Sequence, residues 1–257
     1  MSIIFFDVDG TLLDNKNKRI PTSTINALFE LKKRGHTLAL STGRAEYLLH
    51  VLDEVISLFD YKVTLNGQSI TDVNGLSLLS TPLNKNRLLE LIADMDKHNI
   101  LYGLQNDKDE VISRLDDFAI NFINEFNLRI PKIDSTFHLS HDIHQAWIYT
   151  NKDNVTMLKS KYPEFDFINW GSNGYDITPK GFNKKHGVEY LIKALGFSKD
   201  DAYAFGDGDN DSYMFDAVKT SIAMGNGSSL TKSKATFITD SVDNDGVFKG
   251  LKAVGLL

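Results

Sequence analysis

Both ends of this chain carry short, almost unbroken apolar runs that stop abruptly in acidic, hydroxyl or glycine residues. Residues 2–6 end in Asp7-Val8-Asp9-Gly10-Thr11, and residues 36–40 end in Ser41-Thr42-Gly43-Arg44. Residues 62–65 end in Asn66-Gly67, residues 202–205 in Gly206-Asp207-Gly208-Asp209-Asn210-Asp211, and residues 220–224 in Gly225-Asn226-Gly227. A strand that is apolar on both sides must be covered on both faces, the condition of a parallel strand between helices. Helical segments separate the runs. In 21–34, Ile25, Leu28, Phe29 and Leu31 fall at helical spacing before Gly35. Helices are also expected from about 44 to 59, over 184–195 before Gly196, and over 244–254, with a last short strand at 237–239. This alternation predicts an α/β fold with a Rossmann-like, doubly wound parallel sheet, whose ligand crevice lies outside the carboxyl ends of the strands.

The middle of the chain has another grain. It reads as a helix (84–97), strands near 100–105 and 109–114, and a helix over 116–127. A strand over 146–150, a helix over 153–161, and strands near 165–169 and 174–178 follow. Such pairing predicts a separate α+β domain with an antiparallel or mixed sheet. The expected division is a core domain from residues 1–81 and 181–257, interrupted by an inserted domain at 82–180.

Composition narrows the function classes. The formal charge is −6 and there is no cysteine. An acidic balance argues against a general nucleic-acid binder. The lack of thiols removes disulfide scaffolds, zinc-thiolate sites, iron–sulfur clusters and a cysteine nucleophile. Asp7 and Asp9 interrupt the N-terminal apolar run before it reaches signal-peptide length. No stretch approaches the roughly 18 apolar residues of a membrane span. A soluble, cytoplasmic protein without a membrane or nucleic-acid partner is expected.

If the strand ends converge, Asp7, Asp9, Asp207 and Asp211 share a small volume with Thr42 and Asn210. Carboxylates in contact repel, and one of them must hold its proton unless a cation intervenes. Oxygen donors alone point to Mg²⁺. Thr42, the backbone at Gly43 and the fixed charge of Lys184 add donors suited to a phosphoryl group. An aspartate can attack phosphorus, and a second carboxyl two residues away can protonate the leaving oxygen and then activate water.

These segments resemble the haloacid dehalogenase superfamily, and within it the Cof-type phosphatases. Asp7-Val8-Asp9-Gly10-Thr11-Leu12 is similar to the first motif and Thr42-Gly43-Arg44 to the second. Lys180-Gly181-Phe182-Asn183-Lys184 is similar to the third, and Gly206–Asp211 to the fourth. Asn66-Gly67, Met224-Gly225-Asn226 and Asp245-Gly246-Val247 extend the likeness, and Gly227 departs from it where relatives often carry alanine. The resemblance implies Asp7 as nucleophile and Mg²⁺ ligand. Asp9 is implied as general acid/base and as a metal ligand through its backbone carbonyl, and Asp207 as third ligand. Thr42, Gly43, Lys184 and Asn210 are implied as holders of the transferring phosphoryl group, with Asp211 orienting the lysine or a metal-bound water. It also implies that the insertion is a large type-II (subclass B) α/β cap, of order αββ(αβαβ)αββ, that covers the crevice and selects the substrate. The implied activity is hydrolysis of a small phosphorylated metabolite through an aspartyl-phosphate, with sugar phosphates, pyridoxal phosphate or flavin mononucleotide as suggested substrates. A phosphomutase of the same superfamily and a catalytically silent phosphometabolite-binding protein are the alternatives.

Other features carry a blander reading beside a sharper one. Lys185 competes with Lys184 for the lysine role. Asp207–Asp211 has the D-x-D-x-D start of a calcium loop, but Ser212 and Val218 stand where glycine and glutamate are needed. His138, His141 and His144 invite a metal, with no helical pattern to align them. Trp147, Tyr149, Trp170 and Tyr175 suit the core of the inserted domain or its crevice. Lys16-Asn17-Lys18-Arg19 reads as a solvated loop. Asn154-Val155-Thr156 and Asn226-Gly227-Ser228 match a glycosylation pattern that has no role in a cytoplasmic protein.

Overall fold

The computed structural model describes residues 1–125, 130–171 and 173–257. The end of the helix expected at 116–127 and the side chain of Trp170 lie outside the described residues. The chain divides into two compact units, one of Met1–Ser80 with Asn183–Leu257 and one of Thr81–Phe182. No helix among the described residues is long and apolar enough to cross a membrane.

The first unit begins with β1 (Ile3–Phe6), α1 (Thr22–Lys33), β2 (Thr37–Ser41), β3 (Tyr61–Thr64), β4 (Ser69–Asp72) and β5 (Ser77–Ser80). The second unit then runs α2 (Lys85–Lys97), β6 (Leu101–Gln105), β7 (Glu110–Ile112), α3 (Asp117–Glu125), β8 (Lys132–Ile133), α4 (Phe137–Ser140), β9 (Gln145–Tyr149), α5 (Lys152–Lys161), β10 (Phe165–Gly171) and β11 (Gly174–Pro179). The chain returns to the first unit with α6 (Lys184–Ala194), β12 (Ala202–Gly206), α7 (Asp211–Phe215), β13 (Thr220–Ala223), α8 (Ser229–Lys234), β14 (Phe237–Ile238) and α9 (Gly246–Ala253).

The core sheet has the order β14-β13-β12-β1-β2-β3-β4-β5. From β14 to β3 all pairs are parallel, and β4 and β5 continue the sheet antiparallel. β1 is buried along its whole length, and its alternating residues serve two cores. Ile4 and Phe6 pack with Leu28 and Leu31 of α1 and Leu251 of α9. Ile3 and Phe5 pack with Val188 and Leu191 of α6 and Met214 of α7. Because β2 and β12 flank β1 on opposite sides, the strand order reverses there. The carboxyl ends of β1, β2 and β12 therefore border one crevice.

The segment expected as a helix up to residue 59 is not α-helical. It forms two 3₁₀ turns, Glu46–Leu52 and Ile56–Leu58. Its bonds Leu48 N to Ala45 O, Val55 N to Leu52 O and Leu58 N to Val55 O all span three residues. The apolar pattern explains this. Leu49, Leu52 and Val55 recur every third residue, and a three-residue turn puts all three into the core. The β4–β5 hairpin, β8 and α4 are further elements absent from the sequence reading.

The second unit has a mixed sheet, β10-β11-β9-β6-β7-β8, antiparallel except for the β7–β8 pair. Its elements run αββαβαβαββ, the order that the resemblance implies. α2 buries Leu88, Leu91, Ile92 and Met95, one stripe at 3.6-residue spacing, against Leu104, Ala146 and Ile148 of the sheet. Trp147 packs with Leu101, Ile112 and Ala119, and its Nε1 donates to Glu110 Oε1 at 2.7 Å. Tyr149 packs against that same cluster and Tyr175 against the larger one.

One glycine sets how closely α6 approaches the core sheet. A Cβ on Gly187 would lie 2.5 Å from Val63 Cγ1 and 2.8 Å from Gly67 Cα. Alanine in a helix gains about 1 kcal/mol over glycine. Overpacking against backbone costs about 1–3 kcal/mol, so the clash outweighs the gain. Gly187→Ala is expected to lower the thermal unfolding midpoint by several degrees. A variant that melts at or above the wild type would show that α6 can shift without penalty.

Candidate active site

The site residues sit where their strands stop. Asp7 follows β1, and its N–H donates to Phe205 O of β12 at 3.0 Å. Thr42 follows β2, with its N–H on Val63 O at 2.9 Å. Asp207 follows β12 and Asp211 opens α7. Lys184 comes from the first turn of α6. That helix starts where it does because Asn183 caps it: its Oδ1 accepts from Lys185 N at 3.1 Å, and His186 Nδ1 accepts from Asn183 N at 3.3 Å. The reciprocal cap fixes the helical phase. Lys184 is thereby fully buried, while Lys185 points outward and pairs with Glu189.

The Lys184 ammonium donates to Asp7 Oδ1 at 2.6 Å, Asp211 Oδ1 at 2.6 Å and Ser41 O at 2.8 Å. All three of its hydrogens have an acceptor. Asp211 is equally saturated, since its other oxygen accepts from the N–H groups of Asp207 and Gly208, both at 2.8 Å. Asp207 is less enclosed. It accepts from Thr11 Oγ1 at 3.1 Å and from Asn226 Nδ2 at 3.2 Å. Gly10 makes this approach possible: its φ is +77°, and a Cβ there would fall 2.2 Å from Asp207 Oδ2.

One ammonium thus faces three carboxylates. Oxygens of Asp7, Asp207 and Asp211 all lie within 4.8 Å of one another. Burial, reinforced by the Asp211 charge against the pull of Lys184, pushes the Asp7 carboxyl up to about 8. Burial and the same neighbour push Asp207 up to about 6. Burial pulls the Lys184 ammonium downward, but Asp211 and Asp7 outweigh it and hold its pKa above the ordinary range. The unbalanced charge is negative, and every donor atom is an oxygen. This set fits a hard divalent cation.

Asp9 stands apart from the three carboxylates. Arg44 grips it with a two-pronged bond, Nε to Oδ2 at 2.7 Å and Nη2 to Oδ1 at 2.8 Å. Thr42 Oγ1 accepts from Arg44 N at 3.1 Å, which leaves its own hydrogen to donate. Asn210 Nδ2 donates to Asn66 Oδ1 at 3.0 Å.

Thr11, Arg44, Asn66 and Asn226 therefore touch expected site residues, although the sequence analysis gives them no role. Asn66 and Asn226 each follow a strand and precede a glycine, the same signal that marks the aspartates. The three histidines do not assemble. His138 and His144 are buried, and burial holds their pKa values below the ordinary range. His141 instead stacks on Phe137 at 4.2 Å between ring centroids. No metal-ligating group forms from them among the described residues.

The family model of haloacid dehalogenase-like hydrolases matches residues 4–251. The protein YkrA of Bacillus subtilis (strain 168) is 32% identical over 99% of this chain and 98% of its own length. The pyridoxal phosphate phosphatase YbhA of Escherichia coli (strain K12) is 25% identical over 95% of each chain. A crystal structure of a protein from Geobacillus kaustophilus HTA426 superposes with a TM-score of 0.92 at 34% identity, covering 100% of this chain and 99% of that one. With the matched model spanning nearly the whole sequence and the carboxylate–lysine cluster lying at the ends of its core strands, this chain belongs to the haloacid dehalogenase-like hydrolase family.

Proposed function

We propose that this protein is a Mg²⁺-dependent phosphatase that hydrolyses small phosphorylated metabolites through an aspartyl-phosphate at Asp7. The observation that carries this reading is the buried Asp7–Lys184–Asp211 arrangement with Asp207 beside it. Membership of the family supports it, as does the name of the Escherichia coli relative, a phosphatase of a phosphorylated cofactor.

In this reading Asp7, the backbone carbonyl of Asp9 and Asp207 hold the Mg²⁺. When bound, the ion neutralises charge on the carboxylates and the phosphoryl oxygens. An Asp7 oxygen attacks phosphorus and the bond from phosphorus to the ester oxygen breaks. Asp9 gives its proton to that oxygen. Water then attacks phosphorus, Asp9 takes its proton back, and phosphate leaves with Asp7 restored. Thr42 Oγ1, the Gly43 N–H and Asn210 Nδ2 hold the transferred group. Lys184 joins them as Asp7 loses charge in forming the new bond, because one ammonium hydrogen can then turn from Asp7 to a phosphoryl oxygen. Asp211 keeps the ammonium in place during that exchange.

Asp7→Asn is expected to lower turnover of p-nitrophenyl phosphate by at least about a thousandfold. Its thermal midpoint at pH 8 should not fall, since the change removes one of three crowded charges. Retained Mg²⁺-dependent phosphate release in this variant would refute the aspartyl-phosphate route.

The raised carboxyls also link stability to pH. The metal-free native protein holds protons on Asp7 and Asp207 that the unfolded chain releases near pH 4. At these two sites the native state binds more protons over this range, so their contribution to stability falls as pH rises from about 4 to 8. Mg²⁺ displaces those protons, so the midpoint increase it produces should grow from pH 5.5 to pH 8. Equal increases at the two pH values in a melting series would contradict this coupling.

A further inference from the structure

A cavity of about 350 Å³ opens in the core unit beside Asp9, lined by Leu13, Asn15, Lys18, Arg44 and Val51. Leu13 and Val51 supply apolar lining, Asn15 an amide, and Lys18 and Arg44 two cations. The two cations differ. Arg44 is already matched by its two-pronged bond to Asp9 and also donates to Leu48 O at 3.2 Å. Lys18 has no ion pair among the described residues, and its backbone sits at φ 51°, a left-handed conformation that lysine adopts rarely. The loop that carries it is closed on itself. Asp14 N donates to Arg19 O at 2.9 Å, and the Asp14 carboxylate accepts from Lys16 N, Asn17 N and Asn17 Nδ2. Asp14 therefore turns its charge into the loop rather than toward the cavity. Lys18 is thus an exposed cation in a left-handed turn at the rim of this cavity, with its charge available to a ligand.

We infer that this cavity is a second anion subsite, in which Lys18, with Asn15 and Arg44 beside it, receives an anionic group carried on the organic part of the substrate. The inference rests on the role proposed above for Asp9. If Asp9 protonates the ester oxygen, the group attached to that oxygen starts next to Arg44, and a carboxylate or second phosphate a few bonds further on reaches Lys18. The preferred substrate class is then a phosphate monoester with a second anionic group.

The test compares matched esters. One pair is 3-phosphoglycerate and glycerol 3-phosphate, and the other is glucose 1,6-bisphosphate and glucose 6-phosphate. The first reads a carboxylate and the second a phosphate. Within at least one pair, kcat/KM should favour the doubly anionic ester by about fivefold, the upper range for a partly solvated charge pair. In both Lys18→Asn and Lys18→Gly that ratio should fall to about one. Asparagine and glycine both accept the left-handed backbone, so loss of fold is not expected to mask the result. A wild-type ratio near one in both pairs, or a preference that survives in both variants, overturns the subsite. Absence of turnover for every ester, p-nitrophenyl phosphate included, would count against the phosphatase reading alone. Calorimetric titration of the same esters into the Mg²⁺-loaded protein then decides the subsite. Tighter binding of the doubly anionic ester that Lys18→Asn removes supports it, and equal affinities overturn it.

Discussion

The contact on which the rest of the site depends is the buried Lys184 ammonium held between Asp7, Asp211 and Ser41 O. A lysine out of water is tolerated only when its charge and all its hydrogens are answered. A carboxylate out of water needs the same. The burial of each depends on the others, and removing Lys184 would leave Asp7 and Asp211 facing each other in the interior without a cation. The balance is nonetheless incomplete. Three carboxylates against one ammonium leave negative charge in excess, and the raised Asp7 and Asp207 carboxyls are its signature. The cluster is built to be finished by something positive.

The fold supplies the conditions for that cluster in two steps. A parallel sheet covered on both faces has interior strands, and clusters of charged residues are most readily placed where those strands end. β1, β2 and β12 are neighbours, so their ends bring Asp7, Thr42 and Asp207 together from parts of the chain that are distant in sequence. Local devices then set the distances. Gly10 lets the Asp207 carboxylate lie against the loop after β1, and the cap at Asn183 sets the phase of α6 so that Lys184 faces inward. The apolar packing of Ile3 to Phe6 into both cores provides the rigidity against which these charges are held.

Much of this was legible in the sequence because both signals are local. An apolar run followed by a polar stop marks a strand and its functional end in one reading, which is how Asp7, Thr42, Asp207 and Asp211 stand out. Lys184 stands out over Lys185 by its spacing in the third motif, and the cap at Asn183 is what turns it inward. Other features were not legible, for stated reasons. The turns over Glu46–Leu52 and Ile56–Leu58 follow a three-residue apolar repeat that is easily taken for a helix. The β4–β5 hairpin consists of short strands mixing serine and threonine with apolar residues, with β5 at the sheet edge. Thr11, Asn66 and Asn226 lie in strand-end segments like those of the aspartates, but nothing local assigns them a role. Their importance lies in partners as distant as the 196 positions between Thr11 and Asp207. Arg44 shows its pairing with Asp9 only when the two loops are brought together.

Counting hydrogen bonds separates the carboxylates further than charge alone does. Asp211 has both oxygens occupied, by two backbone N–H groups and by Lys184, so it has little capacity left for a ligand. Asp207 accepts one hydroxyl and one amide hydrogen and keeps lone pairs free. Among the described residues Asp7 accepts only from Lys184, through one oxygen, which leaves the other available. Proximity alone would make these three aspartates equivalent, since their oxygens lie within 4.8 Å of each other. Saturation makes them unequal. It favours Asp7 and Asp207 as the residues that meet an incoming cation or phosphoryl group, with Asp211 as the anchor that keeps Lys184 from following its other partner. Asp9 lies outside the cluster with both oxygens on Arg44, so the proton exchange proposed for it requires Arg44 to release one of them.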